Sequence, residues 1–266
     1  MKIAILQSDI AWAQPERNRQ HLDVWLDSMA RADLYVLPEM FSTGFAIQPE
    51  GIAENDCASL LWMKKKAREL DAALAGSVAT EEDGRFYNRF YFVKPDGEVT
   101  AYDKHHLFTY GKEHLQFTAG QERVVVEWKA VRILLEVCYD LRFPVWSRNH
   151  KDYDMILYVA SWPTSRVKAW STLLKARAIE NQCYVAGVNR VGEDPHCQYC
   201  GASAIINPYG EEMESCGVDR NVLFRQLSTW KNSWLSERNS LCWRIEIKGR
   251  HQSPLPTSPR GGESEK

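Results

Sequence analysis

Residues 132–146, RILLEVCYDLRFPVW, decide how this chain is read. After Arg132 the run is apolar and β-prone apart from Glu136, the composition of a buried strand. Cys138 then meets Tyr139, Asp140, Arg142 and Pro144. A free cysteine often serves as a small core filler. At a strand end, presented on a turn, it can instead serve as a nucleophile. The polar Asp140 and Arg142 just after it argue against a dry filler. Both are expected to fix the turn through hydrogen bonds.

Outward from this stretch, strands and helices alternate. RVVVEWKAVRILLEVCYD reads as two strands, PVWSRNHKDY as a short helix and DMILYVASWP as a strand. KAWSTLLKARAIENQC reads as a helix with Trp170, Leu173, Leu174 and Ala178 in register. YVAGVNRVG and GASAIINPYGEE read as strands. Nearer the N-terminus, KIAILQSDI has strand character. ERNRQHLDVWLDSMARA has helix periodicity, with Leu22, Trp25, Leu26 and Met29 on one face. DLYVLPEMF is a buried strand stopped by Pro38, and DCASLLWMKKKARELDAAL is a second amphipathic helix. AALAGSVAT, YNRFYFVKP and EVTAYDK follow as strands, with PDG at 95–97 as a hairpin turn. This order implies a layered α/β domain in which helices cover sheet. The consecutive hairpins argue against a simple doubly wound sheet. No internal repeat is present.

A chain of 266 residues with 44% apolar composition can bury a sizeable core. Its formal charge of -2 offers no electrostatic reason to expect nucleic acid or a charged membrane as partner. The basic triplet at 64–66 reads as the wet face of a helix. The start, MKIAILQSDIAWAQ, turns polar too early for a signal peptide, and no apolar run approaches a membrane span. Seven irregularly spaced cysteines read as thiols of a cytoplasmic protein. Cys197 and Cys200 form a Cys-x-x-Cys, but zinc would need a second pair, and Cys216 and Cys242 do not supply that spacing. The pair reads as a surface loop with incidental thiols. Cys57 and Cys183 read as helix-packing residues. From 226 the apolar period blurs, so the domain is expected over 1–225. An atypical extension follows over 226–266, disordered from about 247, where Pro, Ser and Gly dominate.

Three chemically able side chains stand where strands end: Glu39 after YVLP, Lys104 after VTAYD and Cys138 after ILLEV. Strand ends are where α/β sheets expose their sites. A cysteine nucleophile needs a base and donors for an oxyanion, and a carboxylate and an ammonium supply both. Each also has a plain structural reading: a loop carboxylate, a solvated strand end, a core filler.

LPEMF, YDKHHLF and CYDLRFP resemble, in order and spacing, the three signature segments of the nitrilase, or carbon–nitrogen hydrolase, superfamily. ASWP, KARAIENQCYVAGVNRVG and INPYGE are similar to further family segments, so the likeness runs from about 1 to about 225. Within the family, YDKHHLF and VCYDLRFPVWSRN look most like bacterial omega-amidases, which act on 2-oxo acids bearing a terminal amide. The resemblance implies an α/β fold that is a four-layer α-β-β-α sandwich. It implies Glu39 as general base, Lys104 as oxyanion-stabilising lysine, Cys138 as nucleophile and Glu113 as a second active-site glutamate. The backbone N–H of Tyr139 would complete the oxyanion site. Phe41, Tyr110 and Trp162 are expected to wall the pocket, and Arg142, Arg166 or Lys168 to bind a substrate carboxylate. No metal or cofactor is implied; the partners are a small-molecule amide and, by analogy, a second copy in a homodimer. Other members of the fold act on N-carbamoyl amino acids, aliphatic amides or nitriles, and a weakly catalytic scaffold is the competing class. Glu136 departs from the family pattern of a small or apolar residue. Strand alternation puts it on the face of Cys138. There it would reach water at a bend, or raise the thiol's pKa.

Overall fold

A computed structural model describes residues 1–217 and 222–226. In chain order the elements are β1 (Lys2–Leu6), α1 (Pro15–Ser28), β2 (Leu34–Val36), α2 (Ala58–Leu70), β3 (Ala73–Glu82), β4 (Arg85–Val93) and β5 (Val99–Asp103). Next come β6 (Val125–Trp128), β7 (Val131–Val137), β8 (Met155–Ala160), α3 (Val167–Asn181), β9 (Tyr184–Asn189), β10 (Val191–Glu193), β11 (Gln198–Cys200), β12 (Ala204–Ile206), β13 (Glu212–Ser215) and β14 (Val222–Gln226).

The strands form two six-stranded sheets, in the orders β14-β1-β2-β3-β4-β5 and β13-β12-β9-β8-β7-β6, plus the small β10–β11 hairpin. In each large sheet three parallel strands sit together, β1, β2 and β3 in one and β7, β8 and β9 in the other. Antiparallel hairpins extend both sheets outward. The parallel strands are buried on both faces, which is why they read as near-continuous apolar runs.

Leu22 and Leu26 of α1 and Met63 and Ala67 of α2 pack on Ala4, Leu6, Tyr35 and Leu74 of the first sheet. Trp170, Leu174 and Ala178 of α3 pack on Leu134, Ile156, Tyr158 and Val185 of the second. Gly187 permits this approach, because a Cβ there would lie 2.5 Å from Leu174 Cδ1. The other strand faces, among them Ile3, Ile5, Phe90 and Phe92 opposite Ile133, Leu135, Leu157 and Val159, are fully buried. The result is the expected α-β-β-α sandwich.

Three local expectations change. The helix expected over 144–153 is absent; a five-residue 3-10 turn, Cys138–Arg142, takes its place one step earlier. Downstream, Asn149 Oδ1 and Asp152 Oδ1 accept the N–H groups of Lys151 and His150, and local side-chain bonds of this kind compete with helix. The triplet at 64–66 is not all wet. Lys66 is buried, with its ammonium 2.9 Å from Asp23, 3.0 Å from Asp27 and 3.1 Å from Glu69. Burial works against its charge, but the three carboxylates outweigh it, and Lys66 fastens α1 to α2. Cys57 is exposed at the start of α2 in a left-handed conformation, whereas Cys183 packs under α3 as expected.

No helix among the described residues is long and apolar enough to cross a membrane. The extension expected over 226–266 lies outside the described residues, apart from Gln226, which pairs with Lys2.

Candidate active site

Glu39 sits where β2 leaves its sheet. Leu37 still donates to Ala75 O at 2.7 Å, Pro38 ends the ladder, and Met40 takes a left-handed φ of 44°. Met40 N then donates to Ser77 Oγ at 2.9 Å, which pins the bend to β3. Lys104 follows the last residue of β5; its N–H bonds Asn88 O and its carbonyl accepts from Gly120, each at 3.0 Å. Only glycine fits at 120, because a Cβ would meet Asp103 O at 2.1 Å.

The two strand ends meet in a dry cluster. Lys104 Nζ lies 2.8 Å from Glu39 Oε1 and 2.9 Å from Glu113 Oε2. Asn88 Nδ2 donates to Glu39 at 2.8 Å and to Glu113 at 3.2 Å. Ser161 N donates to Glu39 Oε2 at 2.8 Å, and Phe108 N to Glu113 Oε2 at 2.6 Å. Glu39, Lys104 and Glu113 have no exposed side-chain surface, so their charges are balanced by one another and by these donors. Burial opposes the Lys104 charge, but Glu113 and Glu39 more than restore it and hold the ammonium firmly protonated. Burial pushes the Glu113 carboxyl up; Lys104 opposes this and Glu39 reinforces it.

Cys138 arrives from the second sheet, at the end of β7. Its φ of 47° is left-handed, a strained setting for a non-glycine residue and one that clusters at functional sites. Burial and then the Glu39 carboxylate push the thiol well above its ordinary pKa, while Lys104 and the Ser161 N–H pull it down. The resting group is therefore a thiol, and the side chains that act most on it are Glu39 and Lys104.

Glu39 and Cys138 open onto a cavity of about 230 Å³, also lined by Tyr139, Phe45, Phe108 and Trp162, among others. Tyr110, Arg142 and Arg166 also line it, with Tyr110 exposed at the rim. Phe41 does not. It is buried in the outer core beside Trp62, because the left-handed Met40 turns the chain and leaves Phe45 to wall the cavity. Lys168 is exposed and does not line the cavity, whereas Arg166, the N-cap residue just before α3, does. The 194–199 segment of the β10–β11 hairpin supplies Asp194, His196, Cys197 and Tyr199 to the wall, so Cys197 is no incidental surface thiol.

Glu136 neither reaches water nor governs the thiol. It is fully buried, and its Oε2 accepts from Ser147 Oγ at 2.8 Å. Burial and then Asp140 raise its carboxyl to about 8. The charges acting most on Cys138 are those of Glu39 and Lys104.

Asn88 and Ser161, which orient Glu39, and Phe45 and Tyr199, which wall the cavity, carried no sequence signal of their own. Asn88 lies mid-strand in YNRFYFVKP, and only its cross-strand partners reveal its inward amide.

The arrangement can deprotonate a thiol and hold an oxyanion during attack on a small carbonyl compound. Residues 2–229 match the carbon–nitrogen hydrolase family. The chain is 50% identical over 214 residues to the omega-amidase YafV of Escherichia coli strain K12, covering 79% of this chain and 83% of that protein. It is 34% identical over 242 residues to the 2-oxoglutaramate amidase of Bacillus subtilis, covering 88% and 93%. Its fold superposes with a TM-score of 0.85 on a carbon–nitrogen hydrolase superfamily protein of Xanthomonas campestris solved with an arsenic adduct in the active site. That pair is 40% identical, over 90% of this chain and 93% of the other.

Proposed function

Because the chain belongs to the carbon–nitrogen hydrolase family, we propose that it is an omega-amidase. It hydrolyses the terminal amide of 2-oxoglutaramate and 2-oxosuccinamate to the 2-oxo acid and ammonia. The observation that carries this reading is one cavity lined by Glu39, Cys138 and two guanidinium groups, Arg142 and Arg166, with Lys104 bonded to Glu39 behind the wall.

In this reading Glu39 takes the Cys138 proton as sulfur attacks the amide carbon. The raised thiol pKa suits transfer during attack rather than before it. The carbonyl oxygen becomes an oxyanion held by Lys104 Nζ and the Tyr139 N–H. Collapse breaks the C–N bond, and the proton held by Glu39 passes to the leaving nitrogen, releasing ammonia and a thioester. Glu39 then deprotonates a water that attacks the thioester, and the proton returns to sulfur as the acid departs. Glu113 orients Lys104, accepting from its ammonium alongside Glu39.

The guanidinium of Arg142 stands over the Trp162 ring at 5.0 Å and that of Arg166 over Phe108 at 5.3 Å. Neither is bound to a carboxylate among the described residues. Planar guanidinium donors suit the carboxylate of a 2-oxo acid. Arg166, half-buried where Arg142 is exposed, is the principal holder. Its carbonyl is fixed by Trp162 Nε1 at 2.8 Å.

The test is ammonia release from 2-oxoglutaramate and 2-oxosuccinamate beside glutamine, asparagine, a simple nitrile and an N-carbamoyl amino acid. Release from the 2-oxo amides alone is expected, and Arg166→Gln should raise their KM about 10–100-fold, the order of a lost charge-assisted bond. Release only from another substrate changes the substrate class. Silence across the panel from folded protein favours a scaffold.

The protein is also proposed to be cytoplasmic and homodimeric. A monomer in sedimentation at micromolar concentration refutes the dimer.

A further inference from the structure

Lys104 and Cys138 belong to different sheets, so their separation depends on what ties the ends of β5 and β7 together. We propose that Asp140 is the positioning residue that sets it, an inference resting on the roles proposed for Cys138 and Lys104.

Asp140 is two residues beyond Cys138 and fully buried. Its Oδ2 accepts Val137 N at 3.0 Å and Tyr102 OH at 2.8 Å. Its Oδ1 accepts His106 N at 2.9 Å and lies 2.8 Å from His106 Nδ1. Val137 is the residue before the nucleophile; Tyr102 and His106 stand on either side of Lys104. One carboxylate therefore grips the backbone leading into Cys138 and both flanks of Lys104.

The Tyr102 hydroxyl extends the grip. While donating to Asp140 it accepts His105 N at 3.1 Å and Trp146 Nε1 at 3.2 Å. Two stacked pairs close the seam beside it. His105 lies on Trp146 at 3.8 Å between ring centroids, and His106 on Phe143 at 3.7 Å, both nearly parallel. The segment after Lys104 is thus laid against the segment after Cys138.

Oxyanion stabilisation requires the donors to be placed within about 0.5 Å. Lys104 is already committed to Glu39 and Glu113, so it cannot follow a displaced thiol. Cys138 in turn is held in a left-handed conformation that a relaxed chain would leave. The Asp140 carboxylate is suited to both constraints because each oxygen accepts two donors. An amide in its place has one accepting atom and would set N–H groups against donors.

The experiment compares Asp140→Asn and Tyr102→Phe with wild type in kcat, KM, thermal stability and affinity for 2,5-dioxopentanoate, the aldehyde analogue of 2-oxoglutaramate. The thiol adds to the aldehyde carbon, and the former carbonyl oxygen occupies the oxyanion position. Asp140→Asn should lower kcat and weaken the aldehyde by about 100-fold each, the order of a misplaced oxyanion donor, with KM within about three-fold. Tyr102→Phe, which removes one bond and keeps the ring, should lose about 10-fold in both. If Asp140→Asn does not fold, Tyr102→Phe decides alone. Wild-type kcat and aldehyde affinity in the folded variants overturn the inference, as does an equal loss in KM and kcat. Full turnover by Cys138→Ala would remove the functional reading and this inference with it; loss in Cys138→Ala but not in the other two removes this inference only.

Discussion

Two of the places where the protein buries carboxylates treat their charge in different ways. In the site, Glu39 and Glu113 share one ammonium and the Asn88, Ser161 and Phe108 donors. Under α3, Glu136 has only Ser147, Tyr158 and a more distant Arg177 for support, and its Oε1 has no partner among the described residues. Burial pushes up the carboxyls of both Glu113 and Glu136; at Glu113 the Lys104 ammonium opposes the push, whereas at Glu136 Asp140 adds to it. The first arrangement supports proton transfer and charge stabilisation. The second is a liability that grows with pH.

Removing the cation breaks the contrast most severely. Lys104→Met leaves two carboxylates facing each other without compensation, so turnover should fall by at least about 10³-fold. Unfolding in denaturant should show a loss of about 3–5 kcal/mol, typical of a buried pair deprived of one partner. Retained stability would mean that the lysine is not what balances the cluster.

Glu39→Gln sharpens the comparison by neutralising one carboxylate in place. Ammonia release should drop by about 10³-fold with the base gone. Alkylation of Cys138 by iodoacetamide should nonetheless shift to lower pH, because burial remains but the negative charge that also raised the thiol is lost. A labelling profile that stays in place would show that Glu39 does not act on the thiol.

Glu136→Gln is the mildest change and affects stability. The folded carboxyl titrates near 8, above the ordinary carboxylate range, so between that range and pH 8 the folded state holds a proton the unfolded chain has released. Wild-type stability through this group is complete at low pH and falls as pH rises, by about 1.4 kcal/mol per unit at most. The non-titrating variant escapes that loss. Its melting temperature relative to wild type should climb from pH 5 to 8 and then level off. A constant difference across that range would place the Glu136 titration elsewhere.

The strand ends bearing Glu39, Lys104 and Cys138 were legible because each follows an apolar β-run and breaks it with a reactive group. The helices were legible from Leu22 with Leu26, and from Trp170, Leu174 and Ala178, whose spacing matches their buried faces. Phe41 misled because LPEMF shows an aromatic beside the base, while the left-handed Met40 that sends it to the outer core leaves no mark in composition. Lys66 looked like its neighbours in the triplet. Only the docking of α1 on α2 brings Asp23 and Asp27 to it.

By itself, then, the sequence determined the layered α/β class, the helix faces and the reactive groups at strand ends, since these follow from periodicity along a continuous stretch of chain. Tertiary structure alone decided that Glu39 and Glu113 share the Lys104 ammonium and the Asn88 amide, that Arg166 lines the cavity, and that Asp140 joins the ends of two sheets. The longest of these links, Glu39 with Lys104 and Tyr102 with Asp140, join residues 65 and 38 apart in sequence, where charge and hydrogen bonding depend on three-dimensional approach and local pattern carries no record of it.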